Sequence, residues 1–363
     1  MRSQVAVEQR LPALARASRL HSPALRALAF AFAAAGVLVA LASPTLAGNG
    51  VWTGTAPRAR SIEAIARDPQ NASRLWAATF GAGVFRSLDG GATWTGYRTG
   101  LVNTFVRCLA VEPNHPDSVF CGTNDGVFVS VDGGVSWKKQ LSTTFAVRSI
   151  AIHPAITQVL YATTSGSGIY KTADGGKKWQ AINGLGLLNS TVRDIAIHPT
   201  QPETLIAATG TNGGLHRSFD GGFTWAQLAD TTGSLNGTHG AAEGVQFDAL
   251  DPTRVYAGEF DRGVLRSFDG GNTWSRMNIG LTSLRGRSLA VVDTLRYFGT
   301  DGGGAFWTSL NDATWHAVGA GLLNPVVTAL IPAASGPESE LAGTDGDGIN
   351  LTIDRGTSWT ELD

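Results

Sequence analysis

Seven times between Ser87 and Trp359 the chain returns to one eight-residue phrase, and that recurrence limits the fold more than any other feature. Ser87–Trp94 reads S-L-D-G-G-A-T-W, Ser130–Trp137 S-V-D-G-G-V-S-W and Thr172–Trp179 T-A-D-G-G-K-K-W. Ser218–Trp225 reads S-F-D-G-G-F-T-W and Ser267–Trp274 S-F-D-G-G-N-T-W. Two degenerate copies follow: Ser309–Trp315, one residue short with Asn311 for Asp, and Thr352–Trp359, with Arg355 for the first Gly. The tryptophans stand 43, 42, 46, 49, 41 and 44 residues apart. A repeat of about 40–45 residues is the length of one four-stranded propeller blade.

The segments around each box repeat as well. A first strand, A, reads V-R-C-L-A-V at Val106–Val111, V-R-S-I-A-I at Val147–Ile152 and V-R-D-I-A-I at Val192–Ile197. A short second strand, B, is built of small and apolar residues, as in Leu75–Thr79, Leu160–Thr164 and Val255–Glu259. A Gly-rich turn leads to strand C, the box follows, and strand D begins at the tryptophan. Period-2 patterning, β-branched residues and Gly turns agree on strands throughout. The sequence therefore predicts an all-β, seven-bladed β-propeller of four-stranded antiparallel blades, with the box turn between strands C and D. The blades span approximately 61–99, 105–141, 146–183, 191–229, 244–278, 286–318 and 325–363.

Composition fits this reading. Of 363 residues 43% are hydrophobic, 16% are charged and 46 are Gly. That favours a packed core with many tight turns over disorder. A net charge of −1 argues against a nucleic-acid binder. Two cysteines cannot make a disulfide scaffold or a Cys-based zinc site.

The first 26 residues carry five Arg against one Glu, and residues 27–47 carry no charge. Small residues Thr45 and Ala47 precede Gly48, a pattern expected of a cleaved export signal over 1–47. Such a chain is expected to be secreted or periplasmic, monomeric, free of the membrane after cleavage, and −5 in net charge. A retained signal anchor is the other reading, because about 20 apolar residues can span a bilayer.

Most conspicuous residues fall into structural columns. Trp76, Phe120, Tyr161, Ile206, Tyr256, Tyr297 and Leu341 share one strand-B position expected in the core between blades. Trp307 aligns with Phe85, Phe128 and Tyr170 on strand C. His153 and His198 precede Pro at the end of strand A and read as turn formers. Cys108 and Cys121 fall on neighbouring strands of blade two, either facing each other as a disulfide or remaining thiols. Trp52 is expected to pack as a latch between blades one and seven. No metal loop, nucleotide fingerprint or nucleophile elbow occurs, so no cofactor is expected.

One column is different. Arg107, Arg148, Arg193 and Arg287 occupy the start of strand A, where the remaining blades carry Glu63, Gln246 and Val327. Strand A is innermost in a blade, so these guanidinium groups are expected to ring the channel mouth. They would either bind carboxylates or pair internally. The expected internal partners are the B–C loop acids Asp125, Glu259, Asp261, Asp301, Asp345 and Asp347. The longest D–A loop, Ala229–Gly244, brings His239 and Glu243 to the same face.

The S-x-D-G-G-x-T-W phrase resembles the Asp-box, or bacterial neuraminidase repeat. The resemblance implies that Asp89, Asp132, Asp174, Asp220, Asp269 and Asp354 are structural, on the face opposite the usual propeller site. Proteins with this repeat include sialidases, xyloglucan hydrolases, sortilin-type receptors and photosystem II assembly-factor-like proteins. The Arg-Ile-Pro motif of the sialidases is absent, and the chain has room for one propeller where xyloglucan hydrolases use two. It is most similar to the exported single-propeller assembly-factor-like group, which has an Arg-lined face. The implied function is a non-catalytic binding module or scaffold for a protein or glycan with acidic groups. The alternative is an exo-acting glycoside hydrolase of sialidase or xyloglucanase type, using a pair among Glu63, Asp194, Glu243 and Asp248.

Overall fold

The structure, a computed structural model, describes residues 60–210, 213–229, 241–292, 294–318, 321–322, 324–332 and 339–362. The 1–47 segment, Trp52 and His239 lie outside the described residues. Among the described residues twenty-eight strands form seven four-stranded sheets, each in the order A-B-C-D with antiparallel neighbours. The seven-bladed propeller is thus what the repeat length predicted. The A strands are Ile62–Arg67, Val106–Val111, Val147–Ile152, Val192–Ile197, Ala242–Phe247, Gly286–Val292 and Val327–Pro332. No described helix is long and apolar enough to cross a membrane.

Strand B carries most of the packing. In blades one to five and seven its five residues are buried on both sides, and in blade six only Leu295 is partly open. A strand with a neighbouring blade on each face has no solvent side, so it reads as a continuous small and apolar run. Its central large residue faces the next blade. Trp76 packs on Val106 and Phe128 of blade two, Phe120 on Val147 and Leu160 of blade three, and Tyr161 on Val192 and Leu205 of blade four. Ile206, Tyr256, Tyr297 and Leu341 repeat the contact at the later junctions. Leu341 belongs with Ile62 and Phe85, so blade seven closes on blade one through the same apolar packing.

The box turns share one hydrogen-bond circuit. Ser87 Oγ donates to Asp89 Oδ1 (2.7 Å) and accepts from the Gly91 N–H (2.8 Å). Asp89 in turn accepts from the Thr93 N–H (2.9 Å) and Thr93 Oγ1 (2.6 Å). The circuit recurs at Asp132, Asp220, Asp269 and Asp354. The donated bonds favour the charged carboxylate: Thr224 and Ser218 hold the Asp220 carboxyl down to about 2, and Ser358 and Thr352 do the same at Asp354. At Asp174 the circuit keeps Thr172 and the Lys178 N–H, but Lys178 brings no hydroxyl. Gly90 and Gly91 sit at φ 74° and 101°, and Arg355 accepts φ 56° at the equivalent of the first Gly.

Histidine serves the turn after strand A, as expected. His153 Nδ1 accepts from the Ala155 and Ile156 N–H groups, and His198 Nδ1 from those of Thr200 and Gln201. Two alignments need correction. Phe306, not Trp307, continues the column of Phe85, Phe128 and Tyr170, because Phe306 pairs with Phe298 as Phe85 pairs with Ala77. The cysteines do not face each other: Cys108 pairs with Gly122 while Cys121 pairs with Leu109, so adjacent register positions point them to opposite faces. Cys108 packs toward blade three and Cys121 toward blade one, both as free thiols.

Candidate functional site at the channel mouth

Every strand A breaks its ladder at one place. In blade two Val106 pairs with Thr123 and Cys108 with Gly122, leaving Arg107 between them. The same step falls at Glu63, Arg148, Arg193, Glu243, Arg287 and Thr328. A bulged residue is unpaired and its side chain is re-aimed. Seven bulges in one register therefore present seven side chains at the inner end of the channel. Around the ring they read Glu63, Arg107, Arg148, Arg193, Glu243, Arg287 and Thr328. The expected occupants Gln246 and Val327 are corrected here: Glu243 and Thr328 hold the bulge in blades five and seven. Gln246 instead bridges deeper down, its Oε1 accepting from the Val291 N–H of blade six (2.8 Å).

The ring borders a cavity of about 380 Å³ lined by all four arginines with Glu63, Glu243, Asp194 and Gln246. Four cations against two anions leave the ring positive. The charges are not evenly satisfied. Arg107 Nη1 donates to Glu63 at 3.0 Å, and its Nε donates to Asn124 Oδ1 at 3.0 Å. Arg193 Nη1 meets the Glu243 carboxylate at 2.8 Å. Arg287 lies 3.6 Å from Asp301, which Arg285 also approaches at 3.2 Å. Arg148 makes no ion pair of its own among the described residues. Desolvation, then the charges of Arg107 and Arg193, press its pKa below the usual value, while Glu243 and Glu63 oppose them.

The B–C loop acids compete for the ring far less than their number suggests. Asp125 goes to Lys139 (3.0 Å), Glu259 to Arg276 (2.8 Å), and Asp261 lies 3.9 Å from Arg262. Among the described residues only Asp301 engages a ring arginine, and the ring's main anions come from its own register. Sequence alignment missed this because Glu243 and Thr328 sit in A strands without the V-R signature. The available signal was strand B, whose last residue is Thr in six blades and Glu259 in blade five, always paired one residue before the bulge.

At and below the ring, side chains tie several A strands to the next. Asp194 Oδ2 accepts from the Val245 N–H of blade five (3.0 Å), and burial pushes its pKa up against the bonds from Ser149, Val245 and Ile195. Ser288 Oγ donates to the Val327 carbonyl (3.3 Å), and Thr328 Oγ1 donates to the Ile62 carbonyl across the closing junction. Asp248 is remote from all of these. It follows the far end of its strand A, five residues or roughly 16 Å from Glu243, in a buried pair with Arg296 at 2.5 Å. Above the ring, Phe80, Phe105 and Phe145 are exposed on the rim. Phe80 and Phe105 meet edge to face at 4.7 Å, and the Arg107 guanidinium lies 4.3 Å over Phe80. No group of three or more His, Cys, Asp or Glu side chains converges as metal ligands would among the described residues.

Parts of the sequence and the overall fold are similar to several known proteins. Residues 125–214, about a quarter of the chain, match the family model described as sortilin, neurotensin receptor 3. A probable oligoxyloglucan-reducing end-specific xyloglucanase of Neosartorya fischeri is 28% identical over 193 residues, covering 49% of this chain and 22% of that protein. A xyloglucanase of Hypocrea jecorina is 30% identical over 166 residues, covering 44% and 18%. The chain thus spans about a fifth of the length of these relatives. An ancestral GH74 enzyme shares the fold at a TM-score of 0.70 and 18% identity, over 86% of this chain and 48% of that one. YCF48 bound to D1 peptide shares it at 0.61 and 16%, over 82% and 93%. The chain is a seven-bladed β-propeller similar in fold both to an ancestral GH74 enzyme and to YCF48 bound to D1 peptide.

Proposed function

We propose that this chain is an exported, non-catalytic binding module of the Asp-box type that captures an acidic protein segment at the channel mouth. The observation that carries the reading is Arg148. It stands between two ion-paired arginines, lacks a carboxylate of its own, and faces a cavity. A ligand carboxylate placed there gains a charge-assisted bidentate bond and relieves repulsion among three guanidinium groups. The low-dielectric funnel focuses the ring's positive field on a mildly acidic protein. Phe80 and Phe105 give exposed apolar surface beside the ring at Arg107, which favours a peptide over a uniformly polar glycan. The likeness to YCF48, nearly all of whose chain is covered, supports the same reading. Export by residues 1–47 and release of a soluble monomer belong to this proposal.

The experiment is a fluorescence-anisotropy titration of an acidic peptide with a free C-terminal carboxylate. Arg148→Ala is expected to weaken binding at least tenfold without changing the melting temperature, and binding is expected to fall with salt. Equal affinity of the variant and the parent would refute the site.

A glycoside hydrolase remains the second reading, supported by the xyloglucanase relatives and by one local feature. Asp194, with its raised pKa, and Glu243, paired with Arg193, line one cavity from neighbouring blades, as an acid and a charged partner would. Release of reducing sugar from xyloglucan oligosaccharides, abolished by Asp194→Asn, would favour it.

A further inference from the structure

Four box tryptophans, Trp137, Trp225, Trp315 and Trp359, are covered by the loop that leaves the preceding blade. Thr99-Gly100-Leu101 of blade one lies on the box of blade two, with Thr99 in a parallel bridge to Ser136 and its carbonyl accepting from the Trp137 N–H (2.9 Å). Leu185-Gly186-Leu187 of blade three repeats this on blade four: Leu185 bridges Thr224 and accepts from the Trp225 N–H (2.8 Å). Ile279-Gly280-Leu281 of blade five accepts from the Trp315 N–H (2.7 Å). Gly321-Leu322 lies on Trp359 in the same way. The Gly is required, since a Cβ at Gly100, Gly186 or Gly280 would stand 1.8–2.1 Å from the tryptophan carbonyl oxygen. The following Leu packs with the indole.

Among the described exits, that of blade two breaks the rule. Its exit, Leu141-Ser-Thr-Thr-Phe145, contains no Gly, because strand D runs on through Lys138–Ser142. The consequences appear at the box of blade three. No backbone carbonyl meets the Trp179 N–H among the described residues. Trp179 is half-buried, whereas Trp94, Trp137, Trp225, Trp274, Trp315 and Trp359 are at most 7% exposed. The residue opposite the missing loop is also changed. Where blades two and four present Ser136 and Thr224 to the loop, blade three presents the exposed Lys178, beside the exposed Lys177.

From this we infer that the box of blade three is a docking slot for an extended segment of another polypeptide, with the sequence acidic residue-Gly-Leu. The occupant is defined by what fills the equivalent place four other times among the described residues. Its first residue offers a carbonyl to the Trp179 N–H, its Gly passes over the Trp179 carbonyl, and its Leu covers the indole. In the parallel register of Thr99 and Ser136, the residue before Gly lies opposite Lys178, so a carboxylate there meets the amine. The slot lies at the far end of strand C from the arginine ring, and the inference does not depend on the function proposed for that ring.

The test uses the whole chain and a labelled acetyl-N-E-G-L-N-amide peptide, followed by anisotropy. Saturable binding is expected, at least tenfold weaker for the peptide with Val in place of Gly, which would strike the Trp179 carbonyl. Lys178→Glu, an exposed change, is expected to weaken this peptide severalfold and to favour the K-G-L counterpart instead. Arg148→Ala is expected to leave the affinity unchanged. The slot is overturned by no binding at millimolar peptide, by equal binding of the Val peptide, or by indifference to the Lys178 exchange. Loss of binding in Arg148→Ala would assign the peptide to the channel mouth and overturn it equally.

Discussion

Glu340 gives the propeller a stability that falls as pH rises. The residue opens strand B of blade seven at 2% exposure, and neither oxygen has a hydrogen bond of sound geometry. Burial raises its carboxyl from the ordinary 4.5 to about 7, with the Tyr297 hydroxyl and the Arg355 charge opposing more weakly. The sign follows from which state ionises first. Below pH 4.5 both folded and unfolded chains carry the proton, and nothing is lost. Between 4.5 and 7 the unfolded chain ionises while the folded one does not, so stability declines by 1.36 kcal/mol per pH unit. Across that interval the loss comes to about 3 kcal/mol, complete above pH 7. Glu340→Gln removes the titration and keeps the shape. Urea unfolding of the variant and the parent is expected to give similar stabilities at pH 4.5 and a variant more stable by about 3 kcal/mol at pH 8. A difference that stays constant from pH 4.5 to 8, or that shrinks toward alkaline pH, would refute the argument.

Further perturbations test other parts of the fold. Asp132→Ala strands the donors of Ser130 and Ser136 and the Ser136 N–H, and is expected to cost roughly 1–3 kcal/mol by thermal unfolding while peptide capture at the mouth survives. Both cysteines are expected to react with an alkylating agent only after denaturation, with no reducing agent needed, because burial pushes Cys108 up to about 12 and no disulfide joins it; mass spectrometry counts the adducts. Thr328→Val removes the hydroxyl that reaches across to Ile62, and is expected to lower the melting temperature and speed hydrogen exchange first in strand A of blade one. Equal exchange in all seven A strands would show that this bond does not hold the junction.

Much of this was readable from the sequence, and the reasons are local. A box circuit closes within seven residues, so Asp89 or Asp269 needs nothing distant to take its place. Strand B is apolar on both faces because blades flank it, which made the Trp76-to-Leu341 column visible as core. What escaped depended on register. A bulge shifts a strand by one residue, and a shift of one exchanges faces. That exchange separated Cys108 from Cys121; in blade five the alignment was off by three residues, setting Gln246 where Glu243 holds the bulge. The same limit applies to Trp307, set one position off by the shortened box before Trp315. Ion pairing was least legible: Glu63 reaches Arg107 from 44 positions away and Glu243 reaches Arg193 from 50, and only the closed ring brings them together.

Each blade is made of four consecutive strands, and none is lent to its neighbour. The join between the seventh and first blades is therefore chemically like every interior join. Ser61 bridges Asp345 there as Phe80 bridges Phe105 and Ser165 bridges Thr191. A wheel with identical seams has no privileged place to be cut. Linking the end of strand D in blade seven to the start of strand A in blade one, and opening the chain in another D–A loop, is expected to give a circular permutant with the same seven blades. Its folding order would rotate with the cut, since the last seam to seal is set by where the chain is opened rather than by the sequence at that seam.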